Sequence, residues 1–350
     1  MASEYPSIRA YQQGDEHDLV KLLGGRFSHD VGLDHWRWKL LHWPSTAANV
    51  WLATADGKAV FHYGGVPLRY SLADSMATAM ISVDAMTAPE FRRRGLLTRG
   101  TSRAFAEWKA RGVAFTLGLP NEQWGSRTAA TGWQKLFPLQ WLIRPLRPEV
   151  FAARRFGMPW LRRATFISGL WSGLLKNRLH KDSRFEFREI DRADSSLDRL
   201  WDRCRPDALF STVRDSAWVQ WRFLDSPTCK YRVVVARRGG DVVGYSASHV
   251  ARTSAKTSAF LAEVVAPNTE PGVQESLLAE VIESTYAAGA DILAALAVPG
   301  TALHKLLRRA GFLPGPAFAV HIVPFTADLS MDQLRNPQNW HLSGAEFDVL

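Results

Sequence analysis

The most informative pattern of hydrophobic and polar positions in the 350-residue chain lies in residues 83–112. An apolar, strand-like run ends at Pro89, and a turn with the sequence Arg-Arg-Arg-Gly follows at residues 92–95. Beyond the turn, residues of one face recur every three or four positions, as in an amphipathic helix. That face contains Leu97, Thr101, Ala104, Phe105 and Trp108. The pattern predicts a strand, a basic turn and a helix in direct succession.

The hydrophobic pattern occurs twice along the chain. Residues 38–45 align with residues 221–228 at an offset of 183, and the hairpin-like residues 50–63 then align without a gap with residues 233–246. Further pairs recur in the same order: Ala88-Pro89 with Ala266-Pro267, and Gly132-Trp133 with Gly311-Phe312. Ordered matches along a whole unit indicate a duplication. We therefore expect an α/β fold with two mixed sheets flanked by helices.

The two units differ at the turn before the helix. In place of the three arginines, residues 267–275 contain no Arg or Lys, and they contain Glu270 and Glu275. Acidic residues suit a helix N-terminus, but they repel a pyrophosphate. We therefore expect the second unit to be a copy of the fold without a site for such an anion, which supports the first unit.

Net charge changes the picture in one segment. The chain carries a formal charge of +9, and residues 146–184 alone hold nine Arg or Lys against two acids. Because the basic excess is local, a nucleic-acid-binding surface is not indicated. We expect an N-terminal domain of residues 1–145 with the arginine turn, a basic helical connector of residues 146–184, and a C-terminal domain of residues 185–350. Arginines and aromatic residues interleave in residues 149–179, which leaves two roles open: packing across both units, or peripheral contact with an anionic membrane.

Cysteine usage and hydropathy indicate the compartment. Cys204 and Cys229 show neither metal-ligand spacing nor the density of a disulfide framework. The first residues lack the order of a signal peptide, and no apolar run of about 18 residues occurs. We expect a cytoplasmic protein without a metal site.

The basic turn suits a negatively charged ligand. The first N–H groups of a helix have no intrahelical partners, and the helix dipole favours negative charge there. The arginines of residues 92–94 add positive charge, so a pyrophosphate would fit. The alternative is an ordinary helix start with exposed arginines.

These residues resemble the GNAT superfamily of N-acetyltransferases. The family motif is (Arg/Gln)-x-x-Gly-x-(Gly/Ala), and Arg92 and Gly95 match its first two anchors, while Leu97 replaces the small third residue. Asn121, followed by Gly132-Trp133 eleven residues later, also fits the family. The resemblance covers about residues 5–143 well and residues 185–325 more weakly. It implies a tandem duplicated GNAT fold of the kind found in a bacterial two-domain subgroup.

The resemblance also implies positions for the cofactor, acyl-CoA. The fourth strand, at about residues 79–88, would offer backbone groups to the pantetheine arm and the thioester, with Met86, Thr87 and Ala88 nearest. Asn121 would hydrogen-bond the arm. The pyrophosphate would be held by Arg92, Arg93, Arg94, Gly95, Leu96, Leu97 and Thr98.

The groups that move protons are less well defined. Asp84 lies on the predicted fourth strand, where many GNAT enzymes place the general base, and a structural hydrogen bond or salt bridge is its alternative role. Glu263 is its counterpart in the second unit. At the position of the usual general acid, a Tyr, this chain has Thr128. Another group or water would then protonate the thiolate.

The second unit is expected to shape the pocket for the acceptor, and other residues are candidates to line it. His62 and Tyr63 follow the first hairpin turn and are candidates to face it, and Trp124 could form a wall. The tail with Trp340, Glu346 and Asp348 resembles the acidic tail of the two-domain subgroup. Folded back, the tail would supply carboxylates for a cationic amine; the alternative is a frayed terminus.

Two functions follow from the sequence. The first is transfer of an acyl group, expected to be acetyl, from acetyl-CoA to a small-molecule amine such as an amino sugar or a natural-product intermediate. The second is a catalytically inactive GNAT-fold protein that binds a ligand or serves as a scaffold. The arginine turn favours the enzyme, whereas the missing Tyr and Leu97 favour the inactive protein.

Overall fold

The computed structural model describes residues 6–24, 32–42, 48–73, 75–119, 131–158, 160, 166, 179, 181–254 and 256–347. Contacts divide the chain into two compact units, of residues 1–137 with 318–336 and of residues 138–317 with 337–350. Most of each sequence repeat lies in a unit of its own, but residues 138–145, which the sequence placed in an N-terminal domain of residues 1–145, group with the second unit. Residues 318–336, however, group with the first unit, although the sequence placed them in a C-terminal domain of residues 185–350.

The described strands, numbered along the chain, are β1 (Ile8–Ala10), β2 (Val50–Ala55), β3 (Lys58–Leu72), β4 (Ser75–Thr87), β5 (Phe115–Gly118), β6 (Gln134–Pro145), β7 (Glu186–Ile190), β8 (Phe210–Thr212), β9 (Tyr231–Arg238), β10 (Asp241–Arg252), β11 (Thr257–Val265), β12 (Ile292–Ala297), β13 (Leu313–Pro324) and β14 (Trp340–His341).

The described α-helices are α1 (Glu16–Leu23), α2 (Leu33–Leu41), α3 (Leu96–Ala110), α4 (Pro148–Arg155), α5 (Ser195–Cys204), α6 (Ser216–Val219), α7 (Val273–Ala287), α8 (Ala302–Arg309) and α9 (Met331–Arg335). Short 3-10 turns connect several of them, and a π-helical turn, Gln220–Leu224, continues α6.

The sheet of the first unit has the order β1-β2-β3-β4-β5. The first three pairings are antiparallel, and β4 pairs with β5 in parallel. Residues 321–324 of β13 then pair antiparallel with β5. The final strand of this sheet therefore comes from a segment that lies about two hundred residues beyond β5 in the chain.

The sheet of the second unit repeats this arrangement. Its order is β7-β9-β10-β11-β12, with antiparallel pairs followed by the parallel pair of β11 with β12. Residues 140–145 of β6 complete it antiparallel to β12. Each unit thus has a mixed sheet with helices, as the fold class predicted from the sequence requires.

Helix α3 packs directly on the sheet of the first unit. Trp108 of α3 lies edge-on to Trp51 of β2, with ring centroids 5.4 Å apart, inside one buried cluster. A Cβ atom at Gly65 would lie 2.3 Å from the Trp108 ring, and one at Gly100 would lie 2.4 Å from the Phe61 ring. These glycines let the helix approach the sheet closely, which fixes the position of its N-terminus.

The predicted basic connector is only partly described. Its first helix is α4, whose first turn contains Pro148 and the buried Glu149. Most of residues 159–180, including the second predicted helix, lie outside the described residues. No helix within the described residues is both long and apolar enough to cross a membrane.

Candidate active site

Strand β4 leaves its parallel neighbour halfway along its length. Residues 79–81 pair with residues 115–117 of β5. Beyond Ile81, residues 82–87 continue along β3, and no described strand pairs with their other edge. Ala85 is exposed on this edge. The separation therefore leaves an open row of backbone groups, at the position where the resemblance predicts the pantetheine arm.

A bulge interrupts β4 at the centre of this open edge. His62 stands opposite Met86 and Gly64 opposite Val83, so that Asp84 and the following alanine face one residue of β3. Asp84 has a φ angle of 52°, in the left-handed region. Such a conformation costs about 1–3 kcal/mol in a residue other than Gly and persists only where its surroundings hold it.

The side chain of Asp84 is held by a lysine. Its Oδ2 lies 2.7 Å from Nζ of Lys39 in α2, and the two side chains are 8% and 5% exposed. This is a buried ion pair, and it corresponds to the structural alternative for Asp84. The proposed role of Asp84 as general base remains a prediction, and it would require the carboxylate to act while paired with Lys39.

His62 forms a hydrogen bond with the backbone of the bulge. The ring is fully buried, with Nδ1 2.7 Å from the carbonyl oxygen of Asp84 and Nε2 3.4 Å from Nε1 of Trp36. A carbonyl only accepts and an indole N–H only donates, so Nδ1 carries the proton and the imidazole is neutral. Burial lowers the pKa of His62, which favours the same state. The expectation that His62 faces the acceptor pocket is therefore wrong.

A chain of hydroxyl groups lies where β4 and β5 separate. The Tyr63 hydroxyl is 2.7 Å from Oγ of Ser82, which is 2.9 Å from Oγ1 of Thr116. Tyr63 is fully buried, also contrary to the sequence expectation, and burial raises the pKa of its hydroxyl. Sequence reasoning missed Ser82 and Thr116, because isolated hydroxyl residues carry no pattern that distinguishes them.

The basic turn lies at the end of the open edge. A short 3-10 turn, Pro89–Phe91, is followed by residues 92–95, all of which are exposed. Arg92 donates through Nε to the carbonyl of Thr87 at 3.2 Å, and the Arg94 guanidinium lies 5.0 Å from the centre of the Phe91 ring. The turn is therefore tied to the end of β4, and its arginines lie at the surface.

The backbone of the turn suits an anion. Arg93 and Gly95 are left-handed, with φ angles of 61° and 73°. Gly95 is the N-cap of α3, and among the described residues no side chain caps this helix. A Cβ atom at Gly95 would have no neighbour within 4 Å. Uncapped amides at a helix N-terminus beside arginines form an anion-binding surface.

The remaining predicted residues are partly placed. Met86, Thr87 and Leu97 are half-buried and Thr98 is exposed, whereas Leu96 is buried. The side chain of Leu97 packs against the buried cluster under α3, which accounts for the larger residue at this motif position.

One backbone detail limits the predicted set of ligand-binding residues. The Ala88 amide donates to the carbonyl of Val60 at 2.9 Å, and the Ala88 carbonyl accepts from the Phe91 amide at 3.0 Å, so both backbone groups of this residue already have partners. Asn121, Trp124 and Thr128 lie outside the described residues.

The second unit has the same turn with different charges. Gly272, the N-cap of α7, has a φ angle of 85°, as Gly95 is left-handed before α3. Glu270 lies 2.8 Å from Arg238 and 3.7 Å from Arg203, and Glu275 lies 3.6 Å from Arg309.

Glu263 repeats the arrangement of Asp84. It lies beside a bulge in β11 and is 1% exposed. Its carboxylate accepts from Nε of Arg214 at 2.9 Å and from Nε1 of Trp218 at 3.1 Å, and also from the Tyr245 hydroxyl. A buried pair of an acid and a cation beside the bulge thus occurs in both units, although one unit lacks the arginine turn.

Glu346 does not serve the predicted acceptor site. It is fully buried and paired with Arg214, and the expectation that the tail offers this carboxylate to a cationic amine is wrong for this residue. Trp340 is buried, and Asp348 lies outside the described residues. Among the described residues, no group of three or more His, Cys, Asp or Glu is placed to hold a metal ion.

Comparisons with known proteins agree with this geometry. Residues 7–134 match the sequence model of an acetyltransferase (GNAT) domain. No curated protein matches the chain significantly.

Two solved structures show the same fold at low sequence identity. A GCN5-related N-acetyltransferase from Anabaena variabilis has a TM-score of 0.63 and 12% identity, over 92% of this chain and 73% of that one. A conserved protein from Enterococcus faecalis, described as a probable N-acyltransferase, has a TM-score of 0.63 and 8% identity, over 91% of this chain and 72% of that one. The sequence match covers residues 7–134, a little over a third of the chain, and over these residues the chain is similar to GNAT acetyltransferase domains.

Proposed function

We propose that the protein transfers an acyl group, most simply acetyl, from acyl-CoA to a small-molecule amine. The observation that carries this proposal is the open edge of β4 at residues 82–87, which leads directly to the arginine turn before α3. An extended arm and a pyrophosphate need these two features side by side. The second unit has no arginine in its turn.

The residues of the turn fit the phosphate end of coenzyme A. Arg92, Arg93 and Arg94 supply positive charge at the surface, and the first amides of α3 point toward the same turn. A charge-assisted hydrogen bond of this kind contributes about 1.5–3 kcal/mol when well formed. Gly95 leaves the backbone open to close approach.

The open edge fits the reacting end. Acyl-CoA supplies an acyl group activated as a thioester. In this proposal, backbone N–H groups of residues 82–87 bind and orient the arm and polarise the carbonyl. The amine must be neutral to attack, so a base or water has to accept its proton. Asp84 is the predicted base, and its pairing with Lys39 requires that this role be tested directly.

Binding is tested by thermal shift and calorimetry with acetyl-CoA. The wild type should be stabilised, by about 2.7 kcal/mol when the ligand concentration is a hundred times Kd. Arg92→Glu and Gly95→Glu should lose this shift. Gly272→Glu is the matched control, because it places the same residue at the left-handed N-cap of a helix of equal length in the other unit. Loss of the shift in Gly272→Glu with retention in Gly95→Glu would contradict the proposal.

Turnover is tested by thiol release with amino sugars, amino acids and polyamines as acceptors. Acyl transfer predicts release that depends on one class of amine. The Lys39–Asp84 pair favours a second candidate, a GNAT-fold protein that binds acyl-CoA without turnover, because the predicted base is already engaged. Binding of acetyl-CoA without amine-dependent thiol release would support that candidate.

A further inference from the structure

Strand β12 of the second unit has both edges occupied at its end. On one edge, β6 pairs with it along its whole length, up to Ala297 opposite Gln140. Ala297 also forms an antiparallel bridge with Ser343. Because a strand has two edges, Ser343 lies on the edge of β12 that faces β11.

Strand β11 separates from β12 as β4 separates from β5. Residues 258–261 pair with residues 292–295, and residues 262–265 continue along β10. The 3-10 turn Gly344–Glu346 contacts both β11 and β12. The turn therefore fills the gap that the separating strands leave in the second unit. We name residues 340–347 the closing segment.

Burial distinguishes the two gaps. In the second unit, every residue from Ala262 to Val265 is at most 3% exposed. In the first unit, Ala85 is exposed, and residues 82–84, 86 and 87 are half-buried. The closing segment is itself buried, with Ser343 and Ala345 at most 1% exposed. The same gap is thus open in one unit and covered in the other.

One buried cation ties the closing segment to β11. Arg214 donates to Glu263 of β11 at 2.9 Å, pairs with Glu346, and donates to the carbonyl of His341 at 3.3 Å. Burial alone would lower the pKa of Arg214, but the charges of Glu346 and Glu263 raise it above its usual value. The guanidinium therefore stays charged between the two carboxylates.

Further hydrogen bonds hold the closing segment. Nε of Arg222 donates to the carbonyl of Ala345 at 2.7 Å. Ser343 and Glu346 form a capping box, in which each side chain accepts from the backbone at the other end of the turn. The segment is fixed by side chains that only a folded second unit brings together.

The gap between β11 and β12 continues toward the N-terminus of α7 as a groove, and this part of the groove is open. A cavity of about 770 Å³ lies between the turn before α7 and helix α8. Its lining includes Glu270 and Glu275 on the α7 side and Lys305 and Arg308 on α8. Gln338, two residues before the closing segment, also lines this cavity. Residues 338–347 therefore run from the N-terminus of α7 to the gap between β11 and β12. In our proposal for the first unit, the acyl-CoA arm follows the equivalent course.

We propose that the closing segment occupies, in the second unit, the groove that receives the acyl-thioester arm in the first, and that this occupation closes the second unit to acyl-CoA. The inference rests on the proposed function of the first unit. A peptide and a pantetheine arm are similar ligands for a strand edge, since both offer amide groups along an extended chain. Removal of the segment should then open a second site for the thioester arm, which binds more weakly than the first because Glu270 and Glu275 stand where the first unit has arginines.

Hydrogen exchange with and without acetyl-CoA tests both claims separately. In the wild type, acetyl-CoA should slow exchange at residues 82–87 and leave residues 262–265 unchanged. In a variant that ends at Asn339, exchange at residues 262–265 should become at least tenfold faster, and acetyl-CoA should slow it again. Calorimetry should show a rise from one to two acetyl-CoA molecules bound per chain.

A full-length variant covers the case in which the shortened chain does not fold. Glu346→Gln keeps the side-chain size and removes the charge that faces Arg214, so residues 262–265 and 343–347 should exchange at least tenfold faster together. Glu283→Gln, the same substitution in a surface ion pair with Lys181, should leave both segments unchanged.

The outcomes are distinguishable. Unchanged exchange at residues 262–265 in both Glu346→Gln and the shortened chain overturns the inference, and so does faster exchange in the shortened chain that acetyl-CoA does not slow. If acetyl-CoA fails to slow hydrogen exchange at residues 82–87 in the wild type, the proposed function fails instead. The effect of the closing segment on exchange at residues 262–265 without ligand can still be measured in that case.

Discussion

At the scale of single residues, the acid at the bulge is paired with a buried cation in each unit. Lys39 holds Asp84, and Arg214 holds Glu263. Because the pair occurs beside both an open and a covered gap, its common role is to keep the separated strand in place. A catalytic role for Asp84 would be an addition to that role in the first unit.

Substitution of Lys39 should expose this dependence. Lys39→Met leaves a buried carboxylate without its partner and should cost about 3–5 kcal/mol of unfolding free energy. The double variant Lys39→Met/Asp84→Asn should recover part of the loss, because no net charge is then buried. Urea denaturation measures both. A double variant as unstable as Lys39→Met would contradict the ion-pair explanation.

Asp84→Asn separates the structural role from catalysis. We expect acetyl-CoA binding to persist and kcat to fall only as far as stability explains, provided that Asp84 is structural. The measurement is kcat from pH 6 to 9 at saturating acetyl-CoA, on protein shown to be folded. A fall in kcat of about a hundredfold or more with unchanged KM for acetyl-CoA would instead identify Asp84 as the general base.

His249 should make the protein less stable in mild acid. It is 7% exposed and stacks on Phe260, with ring centroids 5.0 Å apart. Burial, followed by the charge of Arg222, lowers the pKa of His249 from 6.5 to about 4. As pH falls below 6.5 the unfolded chain binds a proton that the folded chain does not, so this residue removes about 1.4 kcal/mol of stability per pH unit until about pH 4.

The substitution His249→Phe keeps the stacked ring and removes the titration. Between pH 7 and pH 5, the wild type should therefore lose about 2 kcal/mol more unfolding free energy than His249→Phe. Urea denaturation at the two pH values gives the comparison. Equal losses in both proteins would show that His249 is not the titrating group.

At the scale of elements, the position of the anion site depends on how closely α3 packs against β3, because the site lies at the N-terminus of α3. Gly65→Ala would place a Cβ atom 2.3 Å from the Trp108 ring, whereas at Gly64 the nearest atoms are 3.2 Å away. Overpacking of this kind costs about 1–3 kcal/mol. Gly65→Ala should lower both stability and acetyl-CoA affinity, and Gly64→Ala should have the smaller effect. Thermal unfolding measures the stability and calorimetry the affinity. A larger loss of either in Gly64→Ala than in Gly65→Ala would contradict this explanation.

The site could be predicted from the sequence where the evidence is local. The turn at residues 92–95 and the helix after it depend on consecutive residues, so their pattern is visible in the chain. The partner of Asp84 is not visible in this way. Lys39 lies 45 positions earlier, on a helix that is buried by tertiary packing. Nothing in the neighbouring sequence indicates that Lys39 pairs with Asp84.

At the scale of the whole molecule, the sequence repeats predicted two units, but not which strands complete them. β6 and β13 are both apolar runs of equal length that follow a Gly-aromatic pair, so each could in principle belong to either sheet. Residues 321–324 pair with β5, and residues 140–145 pair with β12. Domain boundaries drawn along the chain therefore differ from the units that the contacts define.

This topology predicts that the first unit cannot fold from the front half of the chain alone. Without residues 318–336, β5 loses its outer partner, and Phe325 no longer packs 5.6 Å from the Phe105 ring and 6.5 Å from the Trp108 ring. Residues 1–137 should therefore show no cooperative thermal unfolding by circular dichroism, and a peptide of residues 316–336 should restore it. The control peptide carries Ile322→Asp, since Ile322 is fully buried, and should not restore folding. Cooperative unfolding of residues 1–137 without any peptide would show that β13 is dispensable and that the front half is an independent domain.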